Sequence, residues 1–269
     1  MTTSTASISA PASVSFARGF SLLAYAVRCE ALRLLRVPAF TIPTLLFPIM
    51  FFALFALPHV GEEISKGVKA GPYMLASFGA YSMLSAALFS FGTSIASERG
   101  LGWNRLMRVT PMSPIMYLAA KAVNALFIGF VTLFALFAFA AVAGHVTMPV
   151  ATWLTLLSRL LAGMIPFIAL GLWIGYFGGP NSAAPLTNLI FLPMSFMSGL
   201  FTPLQYMPKF VQDIAPYLPA YHSGNLAWDA VGAGDGKNLV HVFWLVGYTI
   251  FFLAIAMIAY RRDEGKNFG

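Results

Sequence analysis

The strongest constraint on this chain is a series of six apolar stretches, each long enough to cross a bilayer as a helix. A hydrocarbon layer of roughly 30 Å requires about 20 helical residues. The predicted spans are residues 38–57, 73–96, 119–143, 150–177, 185–203 and 240–260. Only 9% of the 269 residues are charged, whereas soluble domains carry about a quarter. The sequence therefore predicts an all-α membrane protein with six transmembrane helices.

The positions of the basic residues predict the orientation of these spans. Arginine and lysine concentrate before the first span, after the second span, at Lys121 (taken as the start of the third helix) and after the sixth span. Cytoplasmic loops carry such an excess. We therefore predict a multi-pass protein with both termini in the cytoplasm. The net charge of +7 then reflects topology, and a nucleic-acid partner is not needed.

The segment before the first span predicts an amphipathic helix. Its apolar residues share one helical stripe, with arginines on the far side: Phe16, Phe20, Leu23, Val27, Ala31 and Leu34. The helix either lies in the membrane interface or packs on a cytosolic partner. The predicted organisation is a disordered tail (1–15), this interfacial helix (16–37), a six-span transmembrane domain (38–260) and a cytoplasmic tail (261–269).

Sequence motifs for catalysis and metal binding are absent. The chain has no GxxxxGK[ST] and no HExxH motif, its single cysteine excludes a disulfide framework, and its four histidines are far apart in sequence. No carboxylate falls within the predicted spans, which disfavours an ion-coupled carrier. We expect a chain that is not an enzyme and carries no cofactor. A carrier, a lipid-modifying enzyme in the membrane and a non-transporting assembly factor remain the alternatives.

Two sequence blocks carry a family resemblance. The loop after the second span contains Glu98-Arg99, Arg105-Leu106 and Thr110-Pro111, followed by Lys121. The second block runs from residue 192 to 216 and includes Phe196, Ser198-Gly199 and Pro203. Together they resemble the signatures of type-2 ABC transporter permeases, the membrane subunits of bacterial drug, lipid or polysaccharide exporters.

This resemblance implies a short coupling helix near residues 101–109 that docks on a separate ATPase chain, which holds the ATP and magnesium. The residues predicted to make this contact are Glu98, Arg99, Trp103, Arg105, Leu106 and Arg108. It also implies two ATPase copies, a second permease copy (identical or different), a transport path at the permease interface and a location in the bacterial inner membrane.

The second and fifth spans offer faces of small and polar residues that suit such a path. The candidates are Ser82, Ser90, Thr93, Asn188 and Ser195, with Arg159 in the fourth span. Small-residue packing within one subunit is the alternative for these faces, and Arg159 could instead reach the outer headgroups. Because these candidates are mostly uncharged, we expect an amphipathic or hydrophobic substrate such as a drug, secondary metabolite, lipid or glycan. Residues 204–239 are too broken by prolines to span and are rich in aromatic residues. The resemblance implies an outer re-entrant segment here, before the last span, and an interfacial loop is the alternative.

Overall fold

Long apolar helices make up most of the chain. The computed structural model describes residues 25, 27–29, 32, 38–65, 67–102 and 114–266. Within them, five helical segments are long and apolar enough to cross a membrane: Ile42–His59, Ala70–Gly100, Pro114–Val142, Val150–Phe177 and Asn238–Arg262. Their bounds agree closely with five of the six predicted spans. The prediction of an all-α membrane protein is confirmed.

The described α-helices are α1 (Pro38–Phe51), α2 (Ala70–Ser85), α3 (Ser94–Gly100), α4 (Pro114–Val142), α5 (Val150–Gly163), α6 (Ile165–Phe177), α7 (Ala183–Met197), α8 (Lys209–Ile214), α9 (Pro219–Ala230) and α10 (Asn238–Lys266). π-helical turns occupy Phe52–Ala56 and Ala86–Thr93, and 3-10 turns occupy Leu57–His59, Leu204–Tyr206 and Ala215–Tyr217. A small antiparallel hairpin, β1 (Glu63–Ser65) and β2 (Val68–Lys69), precedes α2.

The second long segment, Ala70–Gly100, forms the centre of the subunit. In its most apolar stretch 83% of the residues are buried, against 11% in the last segment, Asn238–Arg262. Small residues along it allow neighbouring helices to approach closely. A Cβ atom on Gly79, for example, would lie 2.6 Å from Leu160 Cδ1 in α5. The last segment is therefore mostly exposed within the single subunit.

The second and fourth segments cross with their backbones in contact. A Cβ atom on Gly92 would lie 2.9 Å from the carbonyl oxygen of Gly171, and one on Gly171 would lie 2.9 Å from that of Ala87. The π-helical turn Ala86–Thr93 coincides with this crossing. The fourth segment itself is interrupted at Met164, where α5 ends and α6 restarts with Pro166 in its first turn, since proline is favoured at a helix start.

The predicted fifth span is shorter in the structure than in the sequence analysis. Helix α7 has 15 residues and ends at Met197, so it is about 22 Å long and does not by itself cover a roughly 30 Å layer. Gly199 ends it with a φ of 80°, and the Gly199 amide donates to the carbonyl of Phe196. Such a left-handed glycine is a common helix terminator. The structure therefore leaves the count of six spans as a prediction.

The segment after α7 contains two short helices, α8 and α9. Helix α9 is almost entirely buried against α2, α5 and α10. Trp228 of α9 stacks on Tyr73 with ring centroids 5.5 Å apart, and its indole donates to Ser77 Oγ at 2.8 Å. The second half of the broken, aromatic segment, α9, is thus folded into the helix bundle, whereas most residues of α8 are exposed. The depth of the segment in the membrane stays a prediction.

Candidate functional site

Glu98 and Lys121 form a buried ion pair between the second and third long helices. Lys121 Nζ lies 2.8 Å from Glu98 Oε1, and the two side chains are only 3% and 7% exposed, Lys121 being the less exposed. The Tyr117 hydroxyl donates to Glu98 Oε2, and Lys121 also donates to Ser94 Oγ at 2.9 Å. We expected Lys121 at a helix start. That was wrong, because α4 begins at Pro114 and places Lys121 about two turns inside.

Arg99 points the other way and binds the end of the fourth segment. Its Nη1 donates to the carbonyl oxygens of Gly175, Tyr176 and Gly178 at 2.6, 3.0 and 3.3 Å. The guanidinium also lies 5.1 Å from the centre of the Tyr176 ring. The last carbonyls of a helix have no partner within the helix, so Arg99 satisfies those of α6.

Together these contacts make a rigid platform at the end of the bundle where the loop after Gly100 begins. We call Glu98, Arg99, Tyr117 and Lys121 the loop platform. Beyond it Leu101 is 87% exposed, and a Cβ atom on Gly102 would meet nothing within 4 Å. The first two residues after the helix, Leu101 and Gly102, are therefore not packed against the described part of the bundle.

The predicted coupling residues divide into two groups. Glu98 and Arg99 use their side chains within the subunit, where they hold the base of the loop. Trp103, Arg105, Leu106 and Arg108 lie outside the described residues. The described residues therefore show how the base of the predicted coupling loop is held, and the contact of the loop with an ATPase stays a prediction.

One contact connects the N-terminal segment to the same end of the bundle. Asn124 Nδ2 donates to the carbonyl oxygen of Val27 at 2.9 Å. Residues 25, 27–29 and 32 are helical, and the rest of the predicted 16–37 helix, like the predicted tail 1–15, lies outside the described residues. The N-terminal segment is thus held by α4, one turn after Lys121.

The opposite end of the bundle holds a second polar cluster around Arg159. Its Nη1 donates to Asp229 Oδ2 at 2.9 Å and to the Leu226 carbonyl at 3.0 Å. Asn238, at the start of α10, also donates to Asp229 Oδ2. The hydrogen bonds from Asn238 and then from Arg159 lower the pKa of Asp229. Arg159 therefore joins the fourth segment to α9 and α10.

A pair of histidines lies close to this cluster. The Nδ1 atoms of His222 and His241 are 2.8 Å apart, while the Nε2 atoms face the Pro216 carbonyl and Asp235 Oδ1, each at 2.9 Å. Burial, and then the neighbouring His241, lower the pKa of His222 to about 4. Within the part of the chain that the structure describes, no group of three or more side chains is arranged to hold a metal ion.

Comparison with known proteins identifies the family. The sequence profile described as ABC-2 family transporter protein matches residues 62–258, nearly three quarters of the chain. The chain belongs to the ABC-2 transporter family. It is 26% identical to YvfS of Bacillus subtilis, named as a transport permease, over 235 residues that cover 87% of this chain and 95% of YvfS. It also resembles the inner membrane transport permease YhhJ of Escherichia coli, with 34% identity over 82 residues, 30% of this chain and 22% of YhhJ.

This membership confirms the predicted family. The chain is a multi-pass membrane permease of an ABC transporter. Subunits of this kind work with an ABC ATPase. The platform residues Glu98, Arg99 and Lys121 belong to the sequence block that carried the resemblance. In the structure these three side chains hold the helix end where the loop begins.

The candidate path residues are placed very differently within the permease subunit. Ser82, Thr93 and Ser195 are buried, and their hydroxyls donate to carbonyls of their own helices. Ser90 is half-buried and Asn188 is exposed. The side chain of Arg159 is 28% exposed. In a single subunit, therefore, Ser90, Asn188 and part of Arg159 are accessible, and a role for any of the six in transport stays a prediction.

Several residues of these clusters were missed by sequence reasoning. Tyr117 follows Glu98 by 19 positions and Asp229 follows Arg159 by 70. The period of a helix or a strand does not predict contacts at such separations. One signal was available for Asp229. A buried arginine needs an acidic or carbonyl partner, and the outer segments contain few carboxylates.

Proposed function

We propose that this permease exports an amphipathic or hydrophobic compound from the cytoplasm of a bacterium, using ATP hydrolysed on two copies of a separate ATPase. The observation that carries the proposal is the loop platform, whose side chains tie the helix end at residues 98–100 to two further long helices. A contact that transmits force from an ATPase requires such a base, because a loop on a loose end would absorb the movement.

In this proposal the loop around residues 101–109 is the coupling helix. The Glu98–Lys121 pair ties it to the third long helix and Arg99 ties it to the fourth, so a push on the loop moves both helices together. The N-terminal segment, held at Asn124, would form a second contact close by. Both termini and the platform then lie on the cytoplasmic side of the inner membrane.

The proposed path lies between two permease copies, with Ser90 and Asn188 on the accessible surface. The one charged candidate, Arg159, already pairs with Asp229, which supports a substrate with a largely apolar surface. Helix α7 and the following residues up to Pro203 would form the fifth of the six crossings. Helices α8 and α9 would close the outer exit as a gate. We propose no catalytic residue and no cofactor on this chain.

The coupling contact can be tested with two matched double variants. The test variant, Trp103→Ala with Arg105→Glu, removes an aromatic ring and reverses a charge in the loop. The control, Tyr206→Ala with Lys209→Glu, makes the same two changes at exposed positions near the opposite end. We expect only the loop variant to lose the cognate ATPase in a pull-down of detergent-solubilised protein. Equal retention by both variants would contradict the coupling role.

The direction of transport needs a separate assay. Inside-out vesicles containing the permease and its ATPase should take up an amphipathic fluorescent dye when ATP is added, if the complex exports. The loop variant should abolish this uptake. Lys69→Glu, a charge reversal at an exposed position outside the proposed gate, should keep it. ATP-driven loss of dye from preloaded inside-out vesicles would mean import and would overturn the export proposal.

A further inference from the structure

Two adjoining cavities form a groove along α6, α7 and α10. The first, of about 560 Å³, lies at the platform end and is lined by residues that include Arg99, Tyr176, Phe177, Ile258 and Arg262. The second, of about 510 Å³, is lined by residues that include Leu170, Ile190, Met194 and Phe252. Trp173 and Ile255 line both cavities, so the two adjoin at these side chains, and together we call them the groove.

The groove is basic at one end and apolar along the rest. Both arginines belong to the first cavity, while every lining residue of the second is hydrophobic. Arg99 is held in place by the α6 carbonyls. On α10, Ile255, Ile258 and Arg262 follow at helical spacing and so share one face. The groove thus offers fixed positive charge next to a hydrocarbon-like channel.

The dimensions of the groove match one leaflet of a bilayer. Its lining residues on α10 run from Phe251 to Arg262, a rise of about 16 Å along the helix. Half of a roughly 30 Å hydrocarbon layer is about 15 Å. A single acyl chain would therefore fill the apolar part when its headgroup lies beside the arginines.

We infer that this groove binds an anionic phospholipid, with the phosphate at Arg99 and Arg262 and an acyl chain along Trp173 and Ile255. The guanidinium of Arg262 can bind phosphate oxygens through paired, charge-assisted hydrogen bonds, while Arg99, whose Nη1 donates to the α6 carbonyls, contributes its positive charge. Basic pockets between membrane helices take anionic headgroups for the same reason. The inference concerns a lipid bound from the surrounding leaflet and does not depend on the transported compound.

The fluorescence of Trp173 can detect a lipid in the groove, because Trp173 lines both cavities. The purified permease would be mixed with dibrominated phosphatidylglycerol or dibrominated phosphatidylcholine, whose bromine atoms quench tryptophan fluorescence at contact. The Trp173 signal is the difference between the wild type and Trp173→Phe. We expect phosphatidylglycerol to quench it at lower concentration than phosphatidylcholine with the same acyl chains. Millimolar inorganic phosphate should leave the quenching unchanged.

The role of the charge is tested at Arg262, which is exposed and can be replaced without opening the core. Arg262→Gln should weaken the phosphatidylglycerol effect about five-fold, the loss expected for one basic residue near an anionic surface. Arg262→Lys should keep most of it. The matched control is Arg261→Gln, because Arg261 is equally an exposed arginine on α10 but does not line the groove. It should behave as the wild type.

Each other outcome overturns the inference. Equal quenching by the two lipids would mean ordinary contact with surrounding lipid, and no Trp173 quenching by either would mean that no acyl chain enters. Equal losses in the Arg261 and Arg262 variants would mean a general charge effect. Displacement by inorganic phosphate would identify a site for free phosphate rather than for a lipid.

Discussion

The buried pair of Glu98 and Lys121 allows a quantitative test of the loop platform. The Lys121→Met substitution keeps most of the side-chain length and removes the ammonium group. Glu98 would then keep its hydrogen bonds from Tyr117 and Ser94 but lose the charge 2.8 Å away. Breaking one partner of a buried ion pair destabilises a protein by about 3–5 kcal/mol, because the remaining charge stays buried without compensation.

The solvent exposure of each ion pair determines how much unfolding free energy its removal should cost. Arg159 and Asp229 are joined at 2.9 Å, almost the same distance, but their side chains are 28% and 20% exposed. Surface pairs contribute about 0–1 kcal/mol, so we expect Arg159→Met to cost about 1–2 kcal/mol, clearly less than Lys121→Met. The double variant Glu98→Gln with Lys121→Met should recover most of the loss, since it leaves no buried charge.

Unfolding free energies can be measured by titrating SDS into mixed micelles and following tryptophan fluorescence. Lys237→Met serves as the control, because Lys237 is exposed. A loss below about 1 kcal/mol for Lys121→Met would place the pair in the surface range and refute the reasoning from burial. A double variant as unstable as Lys121→Met would also refute it, because the unpaired charge would then not be the cause.

Two further predictions concern the helix crossing and the histidine pair. Gly92→Ala places a methyl group 2.9 Å from the carbonyl oxygen of Gly171 and should destabilise by about 1–3 kcal/mol in the same titration, whereas Gly247→Ala, with nothing within 4 Å, should be neutral or slightly stabilising. The wild-type melting temperature should fall as the pH drops from about 6.5 towards 4, because His222 then binds a proton in the unfolded state but not in the folded state. His222→Phe should lose this part of the pH dependence, and identical profiles would contradict the assignment.

The predicted topology depended on local properties of the chain. A helix crosses a bilayer only when it is long and apolar, and five such segments lie close to their predicted positions. The fourth matches at both ends, Val150 and Phe177. The fifth span was predicted at residues 185–203, and helix α7 covers most of it with Pro193 in its interior. In the structure, the positive φ of Gly199 ends the helix earlier.

The sequence alone determined the membrane class, the approximate helices and the family, because hydrophobic length and two local motifs carry that information. Only the tertiary structure decided which residues meet. Arg159 and Asp229 are 70 positions apart and His222 and His241 are 19 apart, and such pairings depend on how helices pack. Likewise, a helical repeat placed Ser82 and Ser90 on one face, but the neighbouring helices decided that Ser82 is buried and Ser90 remains partly accessible.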